Sequence, residues 1–143
     1  MKLKKLKITN YRCFKEAEID FDDHITLVVG KNGARKTAIL DAVAVSVSTF
    51  LLAIDGGVSR SILKDDARYE FHDLNGTIDP QHQFPVSIES TGDCLKQQNV
   101  KWIRSLNSES GKTTIKDAGE LTGLAKKAQN QIMTGDKSLV LPL

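Results

Sequence analysis

The chain has 143 residues, a formal net charge of +2 and 27% charged residues. This length allows one domain with a hydrophobic core of its own. The small net charge excludes a strongly basic surface as the general basis of a nucleic-acid interaction.

Cysteine usage and hydropathy indicate the compartment. Cys13 and Cys94 are far apart and have no metal-ligand spacing, which favours a reducing cytosol over a disulfide scaffold. The N-terminus is basic but lacks the apolar segment of a signal peptide. Residues 38–54 are apolar, but Asp41 interrupts them and they are shorter than the ~20 residues of a membrane span. We therefore expect a cytoplasmic protein with no membrane segment, in which residues 38–54 form a buried helix.

Strand patterns predominate before residue 30. Residues 1–9 and 17–21 predict two strands joined by a turn at 10–14, and the apolar, β-branched residues 24–29 predict a third. This order predicts a mixed sheet that begins antiparallel. Four lysines in the first strand are expected to form the solvated face of an edge strand, with a DNA-facing patch as the alternative. They are Lys2, Lys4, Lys5 and Lys7.

A phosphate-binding loop follows the third strand. Residues 30–37 read GKNGARKT, whereas the pattern G-x-x-x-x-G-K-[ST] has glycine where Arg35 stands. Backbone N–H groups of the loop and of the next helical turn are expected to bind a polyphosphate. Lys36 is expected to reach its β- and γ-phosphates, and the Thr37 hydroxyl to hold Mg²⁺. The preceding strand and the following helix are the context that this motif requires.

Two further features of the loop bear on its activity. Gly30 and Gly33 are expected to allow backbone conformations and a close approach that a Cβ would obstruct. Arg35 is expected at the mouth of the helix, where its charge favours phosphate and its bulk opposes it. The similar triplet at residues 111–113 does not complete the pattern, because its first glycine is replaced by Leu106.

The remainder of the chain predicts a helix, an irregular segment and a second set of strands. Residues 38–52 are apolar nearly all round, so this helix is expected to be covered on most faces. Residues 55–85 read as a surface excursion with one short strand near 68–71. Residues 84–90 and 100–106 predict a hairpin, 117–133 a helix, and 138–143 a further strand in which the sequence stops. We therefore expect a truncated product.

Several motifs resemble one family. The N-x-R-x-F turn at 10–14, the loop at 30–37 and the L-D-A triplet at 40–42 resemble the N-terminal lobe of the SMC/RecF/OLD group of ABC-type ATPases. Within that group the chain is most similar to the PtuA-like AAA-type ATPases of bacterial Septu and retron anti-phage systems. The resemblance covers residues 1–52 well and 65–143 less specifically.

The resemblance implies an α/β P-loop NTPase fold, the N-terminal lobe of an ABC-ATPase head, with a mixed sheet, an antiparallel β portion and a buried helix after the loop. It also implies one partial lobe over 1–143, divided into 1–52, a surface excursion at 53–83, and 84–143. ATP and Mg²⁺ are the implied cofactors. The expected nucleotide-binding residues are Arg12, Gly30, Asn32, Gly33, Ala34, Arg35, Lys36, Thr37 and Ala38, with Thr37 as the metal ligand and no catalytic residue.

The resemblance further implies a second ATPase lobe and a homodimer partner, which supply the hydrolytic groups in the family. An effector nuclease or a reverse-transcriptase and nucleic-acid complex is a possible further partner. We expect an ATP-binding lobe serving anti-phage defence or a DNA-directed process such as DNA repair, and no hydrolysis by this chain alone. The alternatives are a nucleotide-blind docking module disabled by Arg35, and a small P-loop kinase, which leaves the preceding strands unexplained.

Overall fold

The computed structural model describes residues 1–31 and 33–135. Asn32 and the strand expected at 138–143 lie outside the described residues. Six strands and two α-helices follow in chain order: β1 (Lys2–Tyr11), β2 (Phe14–Asp20), α1 (Ala34–Ser48), β3 (Tyr69–Leu74), β4 (Thr77–His82), β5 (Val86–Cys94), β6 (Gln97–Leu106) and α2 (Gly119–Met133). Strands β2-β1-β5-β6 form one sheet and β3-β4 a second, and every pairing between these strands is antiparallel.

Strand β1 lies inside the sheet, between β2 and β5, so the expected edge position is wrong. Its lysines lie on partly exposed positions, and each is paired with a carboxylate of a neighbouring segment. The pairs are Lys2–Asp23 and Lys4–Asp93 at 2.8 Å, Lys5–Glu18 at 2.7 Å and Lys7–Glu16 at 3.2 Å. Such exposed pairs contribute little stability, but they neutralise the basic run, which favours the solvated face over a DNA-facing patch.

The opposite face of the sheet packs against α1. Strand β5 alternates buried and half-buried residues along its whole length, as a strand with one covered face does. Leu6, Ile8 and Ile88 contribute fully buried side chains from the sheet, and Ala38 and Ala42 contribute them from the helix. Small residues on α1 allow the helix to approach the sheet closely. This packing fixes the position of the helix start, where the candidate site lies.

A second core cluster joins β6 to α2. Trp102 is 1% exposed, and its indole Nε1 donates a hydrogen bond to the Ser46 backbone oxygen of α1 at 3.1 Å. Leu121 and Leu124 of α2 pack in the same cluster. The expected helix at 117–133 is therefore confirmed, and Trp102 is a core residue.

The strand expected at 24–29 is absent from the described structure. The segment is extended, but Ile25, Leu27 and Val29 are 81%, 80% and 79% exposed. A strand needs a neighbour for its backbone N–H and C=O groups, and in the described structure this segment pairs with none of the strands. The pattern correctly indicated an apolar extended segment, but pairing depends on parts of the fold that a local pattern does not contain.

Helix α1 is less covered than its composition suggests. One face is buried in the sheet, whereas Leu40 is 61% exposed and Val47 39% exposed. With the 3₁₀ turn that continues it, the helical stretch Arg35–Ala53 has 19 residues, which by length and composition alone is enough to cross a membrane. One such helix is weak evidence of a membrane span, and one face of this stretch packs against the sheet.

The surface excursion contains a hairpin rather than one short strand. Strands β3 and β4 pair through a tight turn at Asn75-Gly76, where both residues have positive φ (56° and 83°). An Asn-Gly pair is a strong signal for this type of hairpin turn, and it was available in the sequence. Pro80 lies within β4, and proline is tolerated there because β4 pairs on one side only in the described structure.

Arg104 of β6 is a charged residue in the core. It is 1% exposed, its Nη1 donates to Thr49 Oγ1 at 3.3 Å, and its Nε has no hydrogen-bond partner among the described residues. Burial lowers the pKa of the guanidinium. We expect Arg104→Met to raise the free energy of unfolding by about 1–3 kcal/mol, because an apolar side chain removes an uncompensated buried charge. Urea unfolding measures this, and a decrease would show that the charge is compensated.

The matched control for that change is Lys101→Met on the same strand. Lys101 is exposed, so its replacement is expected to change the free energy of unfolding by less than about 0.5 kcal/mol.

Candidate functional site

The start of α1 borders a cleft of about 720 Å³. One wall is the turn between β1 and β2 with the beginning of β2, and the other is the first turn and a half of α1. The exposed segment before the helix forms the floor. The lining residues are Cys13, Phe14, Val28, Val29, Gly30, Lys31, Gly33, Arg35, Lys36 and Ile39. The expected loop therefore lines a real depression in the surface.

The helix presents free backbone donors at this cleft. Helix α1 begins at Ala34 after Gly33, and the first four N–H groups of an α-helix have no partner within the helix. Together with the aligned peptide dipoles, these groups carry partial positive charge. The first turn contains no acidic residue that would neutralise it. An anion is therefore stabilised at this position.

Three cationic side chains reinforce that potential. Lys31, Arg35 and Lys36 line the cleft, and its described lining contains no acidic side chain. The Lys36 ammonium donates hydrogen bonds to the backbone oxygens of Gly30 and, at 3.2 Å, Lys31. These two hydrogen bonds hold the loop curved around the Lys36 ammonium group. This arrangement suits a ligand with several negative oxygens.

The two loop glycines are not required by the protein's own packing. A Cβ added at Gly30 or Gly33 meets no atom within 4 Å. Gly33 has φ 161°, which is extended backbone that other residues also adopt. The expectation that these positions need an unusual backbone conformation is therefore wrong for Gly33. The close approach of a ligand to Gly30 and Gly33 stays a prediction.

The remaining loop residues differ in where their side chains lie. Arg35, the second residue of α1, lines the cleft as expected. Thr37 is exposed in the first helical turn, where its hydroxyl can reach a ligand. Ala38 is fully buried in the core, so it can contribute only its backbone N–H. Ala34 opens the helix with its backbone, and Asn32 lies outside the described residues.

Arg12 is not among the cleft-lining residues. Its Nε donates to Asp66 Oδ1 at 2.9 Å, and its Nη1 pairs with Asp41 Oδ2 of α1. Asp41 also pairs with Arg60 Nη1 at 2.8 Å. Partial burial acts to lower the pKa of the Arg12 guanidinium, but the hydrogen bond to Asp66 and the charges of Tyr11, Asp66 and Asp41 raise the pKa overall.

Asp41 of α1 holds two arginine side chains. The sequence did not indicate Cys13 and Phe14 in the cleft wall, or Asp66 as the second partner of Arg12. Asp66 is 54 residues away from Arg12 along the chain, so no local spacing could indicate the contact. The N-x-R-x-F motif pointed to the correct turn.

Comparisons with known proteins identify the family of this chain. A family model described as an AAA domain matches residues 5–138. The DNA replication and repair protein RecF of Oceanobacillus iheyensis is 42% identical over 107 residues, which are 73% of this chain and 28% of that protein. The DNA double-strand break repair Rad50 ATPase of Archaeoglobus fulgidus is 46% identical over 44 residues, 31% of this chain and 5% of that protein. The chain spans less than a third of the length of these relatives.

The fold is also found among solved structures. A chain from structural work on the ATP-driven dimerization and DNA-stimulated activation of SMC ATPases has a TM-score of 0.55 and 18% sequence identity, and the match covers 99% of this chain and 87% of that one. The fold is therefore that of the N-terminal lobe of an SMC/RecF-like P-loop ATPase head. With the match across residues 5–138, this chain belongs to the AAA domain family.

Proposed function

We propose that this chain is an ATP-binding lobe of an SMC/RecF/Rad50-type ATPase, with the phosphates of the nucleotide held at the start of α1. The observation that carries the proposal is the convergence of free helix N–H groups and three cations in one cleft whose described lining contains no acidic residue. Most anions would be attracted to such a site. The phosphate-loop sequence at residues 30–37 and family membership favour a nucleoside triphosphate.

The residues at the start of α1 have specific roles in this proposal. Lys36 would move from the loop carbonyls to the β- and γ-phosphates, and the backbone N–H groups at 34–38 would donate to phosphate oxygens. The Thr37 hydroxyl is exposed and is an oxygen ligand of the kind that Mg²⁺ prefers, so it would hold the metal. The metal would neutralise charge on the phosphates during transfer.

The proposal assigns hydrolysis to an assembly rather than to this lobe. Phosphoryl transfer to water needs a positioned water and stabilisation of the γ-phosphate charge from several sides. The described cleft supplies only cations and backbone donors. In the proposed assembly a second lobe and a partner protomer supply the rest. The exposed apolar side chains of Ile25, Leu27 and Val29, which share one side of an extended segment, support a partner covering this surface.

The cellular process forms a further part of the proposal. The names of RecF and Rad50 favour a DNA-directed role such as repair, in a cytoplasmic complex with nucleic acid. Anti-phage defence, with an effector nuclease or a reverse transcriptase as partner, rests on the motif resemblance to PtuA-like ATPases.

Titration of a fluorescent ATP analogue with Mg²⁺ tests nucleotide binding. We expect Arg35→Gly to bind the analogue about tenfold more tightly than the wild type, because it removes a bulky side chain from the mouth of the cleft and restores the close approach of phosphate to backbone. Protection of Cys13 from a thiol reagent reports binding independently, since Cys13 lines the cleft and is exposed, whereas Cys94 is buried. Absence of binding in both proteins would remove the proposal.

A second candidate function is a nucleotide-blind docking module. Two observations favour it: Arg35 occupies part of the cleft, and Lys36 is already bonded to loop carbonyls. This candidate requires the wild-type chain to assemble identically with and without ATP in sedimentation velocity. Dimerization that depends on ATP would exclude it and support the nucleotide-binding lobe.

A further inference from the structure

A chain of alternating charges joins the two walls of the cleft. It runs from Arg60 to Asp41, Arg12 and Asp66, and we refer to these four residues as the clamp. Asp41 belongs to α1 and Arg12 to the turn between β1 and β2. Each inner member contacts two opposite charges. Side-chain exposure is 15% for Asp41 and 11% for Asp66, so both carboxylates are largely shielded from water.

The turn that carries Arg12 needs restraint from outside itself. Asn10 and Arg12 have φ of 50° and 51°, in the left-handed region that non-glycine residues seldom adopt. Such conformations persist where surrounding contacts determine them. The Arg12 amide donates to the Asp66 backbone oxygen at 2.6 Å, and the Asn10 side chain donates to the Pro85 oxygen at 3.1 Å. The Arg12 side chain adds a contact from this turn to Asp41 of α1.

The restrained turn is also the wall of the cleft. Cys13 and Phe14 follow Arg12 directly and line the cleft opposite Arg35 and Lys36. Asp41 lies two residues beyond Ile39, the last lining residue on the helix. The pair of Arg12 with Asp41 therefore joins the two walls next to the cleft.

We propose that Asp41 is a positioning residue for the nucleotide cleft, which acts by fixing the Arg12 turn to α1 and so setting the width of the cleft. The clamp places Arg12 between the carboxylates of Asp41 and Asp66, which already balance the positive charge of the Arg12 guanidinium. Arg12 then serves the cleft as a tether, and a direct phosphate contact is not needed. The effect on affinity rests on the proposed nucleotide site, whereas the effect on the turn does not.

The two roles of Arg12 predict opposite results for Asp41→Asn. If Arg12 is a tether, loss of the Asp41 charge loosens the wall, and the dissociation constant of the fluorescent ATP analogue rises by about tenfold. If Arg12 instead binds phosphate, the same change frees its guanidinium, and affinity stays equal or improves. Asp41→Glu keeps the charge and is expected to remain within about threefold of the wild type.

Hydrogen exchange tests the clamp without nucleotide. We expect faster exchange of the backbone amides at 10–14 in Asp41→Asn and in Asp66→Asn, since each change removes a carboxylate charge that holds the Arg12 side chain and so loosens its turn. The matched control is Asp65→Asn, which changes an exposed carboxylate one residue from Asp66 and is expected to alter neither exchange nor affinity. Circular dichroism establishes that each variant is folded.

The positioning role of Asp41 and the proposed nucleotide binding fail on different results. Wild-type or tighter nucleotide binding by Asp41→Asn overturns the positioning role, and so does unchanged exchange at 10–14. If neither the wild type nor Arg35→Gly binds nucleotide, the proposed function fails, and the exchange result alone decides the clamp. If Asp41→Asn does not fold, Arg60→Gln replaces it, because this change removes only the outer, 49% exposed member. It is expected to raise the dissociation constant about threefold, and no change would count against the clamp.

Discussion

Replacing Lys36 with alanine is expected to raise the dissociation constant of a fluorescent ATP analogue by about 10- to 100-fold. A hydrogen bond from a charged donor contributes about 1.5–3 kcal/mol, and Lys36 is positioned to make such bonds to phosphate. Its ammonium already lies in the loop, bonded to the oxygens of Gly30 and Lys31. The change also removes this bracing of the loop, which adds to the loss. Fluorescence titration with and without Mg²⁺ measures the effect.

The chain offers a matched control for this experiment. Lys112 lies in the triplet Gly111-Lys112-Thr113, in an exposed loop after β6. This triplet matches the last three positions, G-K-[ST], of the phosphate-loop pattern. No helix begins there, so no free helix N–H groups converge on it. Lys112→Ala is expected to bind the analogue within about twofold of the wild type. Equal losses of affinity in Lys36→Ala and Lys112→Ala would show that the analogue binds by non-specific electrostatic attraction and not in the cleft.

Replacing Trp102 with alanine is expected to lower the free energy of unfolding by about 3–5 kcal/mol. Trp102 is 1% exposed and fills the cluster between β6 and α2. Its indole also satisfies the Ser46 backbone oxygen of α1 at 3.1 Å. The change therefore leaves a cavity and removes a link between the two helices. Urea unfolding followed by circular dichroism measures it without relying on tryptophan fluorescence.

The control variant Trp102→Phe separates these two contributions. Phenylalanine keeps an aromatic ring in the cluster but cannot donate to Ser46, so we expect a smaller loss, about 1–3 kcal/mol. A loss below about 1 kcal/mol for Trp102→Ala would mean that α2 packs weakly on the sheet. In that case the second cluster would not hold the fold together.

Much of the fold was predictable because its signals are local. The alternation in β5 and β6 indicated strands with one covered face, and the spacing of Leu121, Leu124 and Ala125 indicated α2. The phosphate loop also depends on adjacent residues, since its backbone donors and Lys36 all lie within eight positions. These interactions need no information from distant parts of the chain.

The errors involve partners that are distant in sequence. The central position of β1 depends on pairing with β5, more than 70 residues away. The segment at 24–29 has the composition of a strand, but it pairs with no strand in the described structure. The hairpin at 69–82 was missed for a different reason, because its Asn75-Gly76 turn was interpreted as part of an irregular surface segment.

By itself, the sequence determined the loop, the helix that follows it and the alternating strands, because side-chain periodicity and turn chemistry operate over a few residues. Only the tertiary structure decided that Lys31, Arg35 and Lys36 share one cleft whose described lining has no acidic residue, and that Arg12 lies between Asp41 and Asp66. Charges 29 and 54 residues apart meet only after the sheet and helix have packed. Their contact is a property of the folded chain, and no local spacing encodes it.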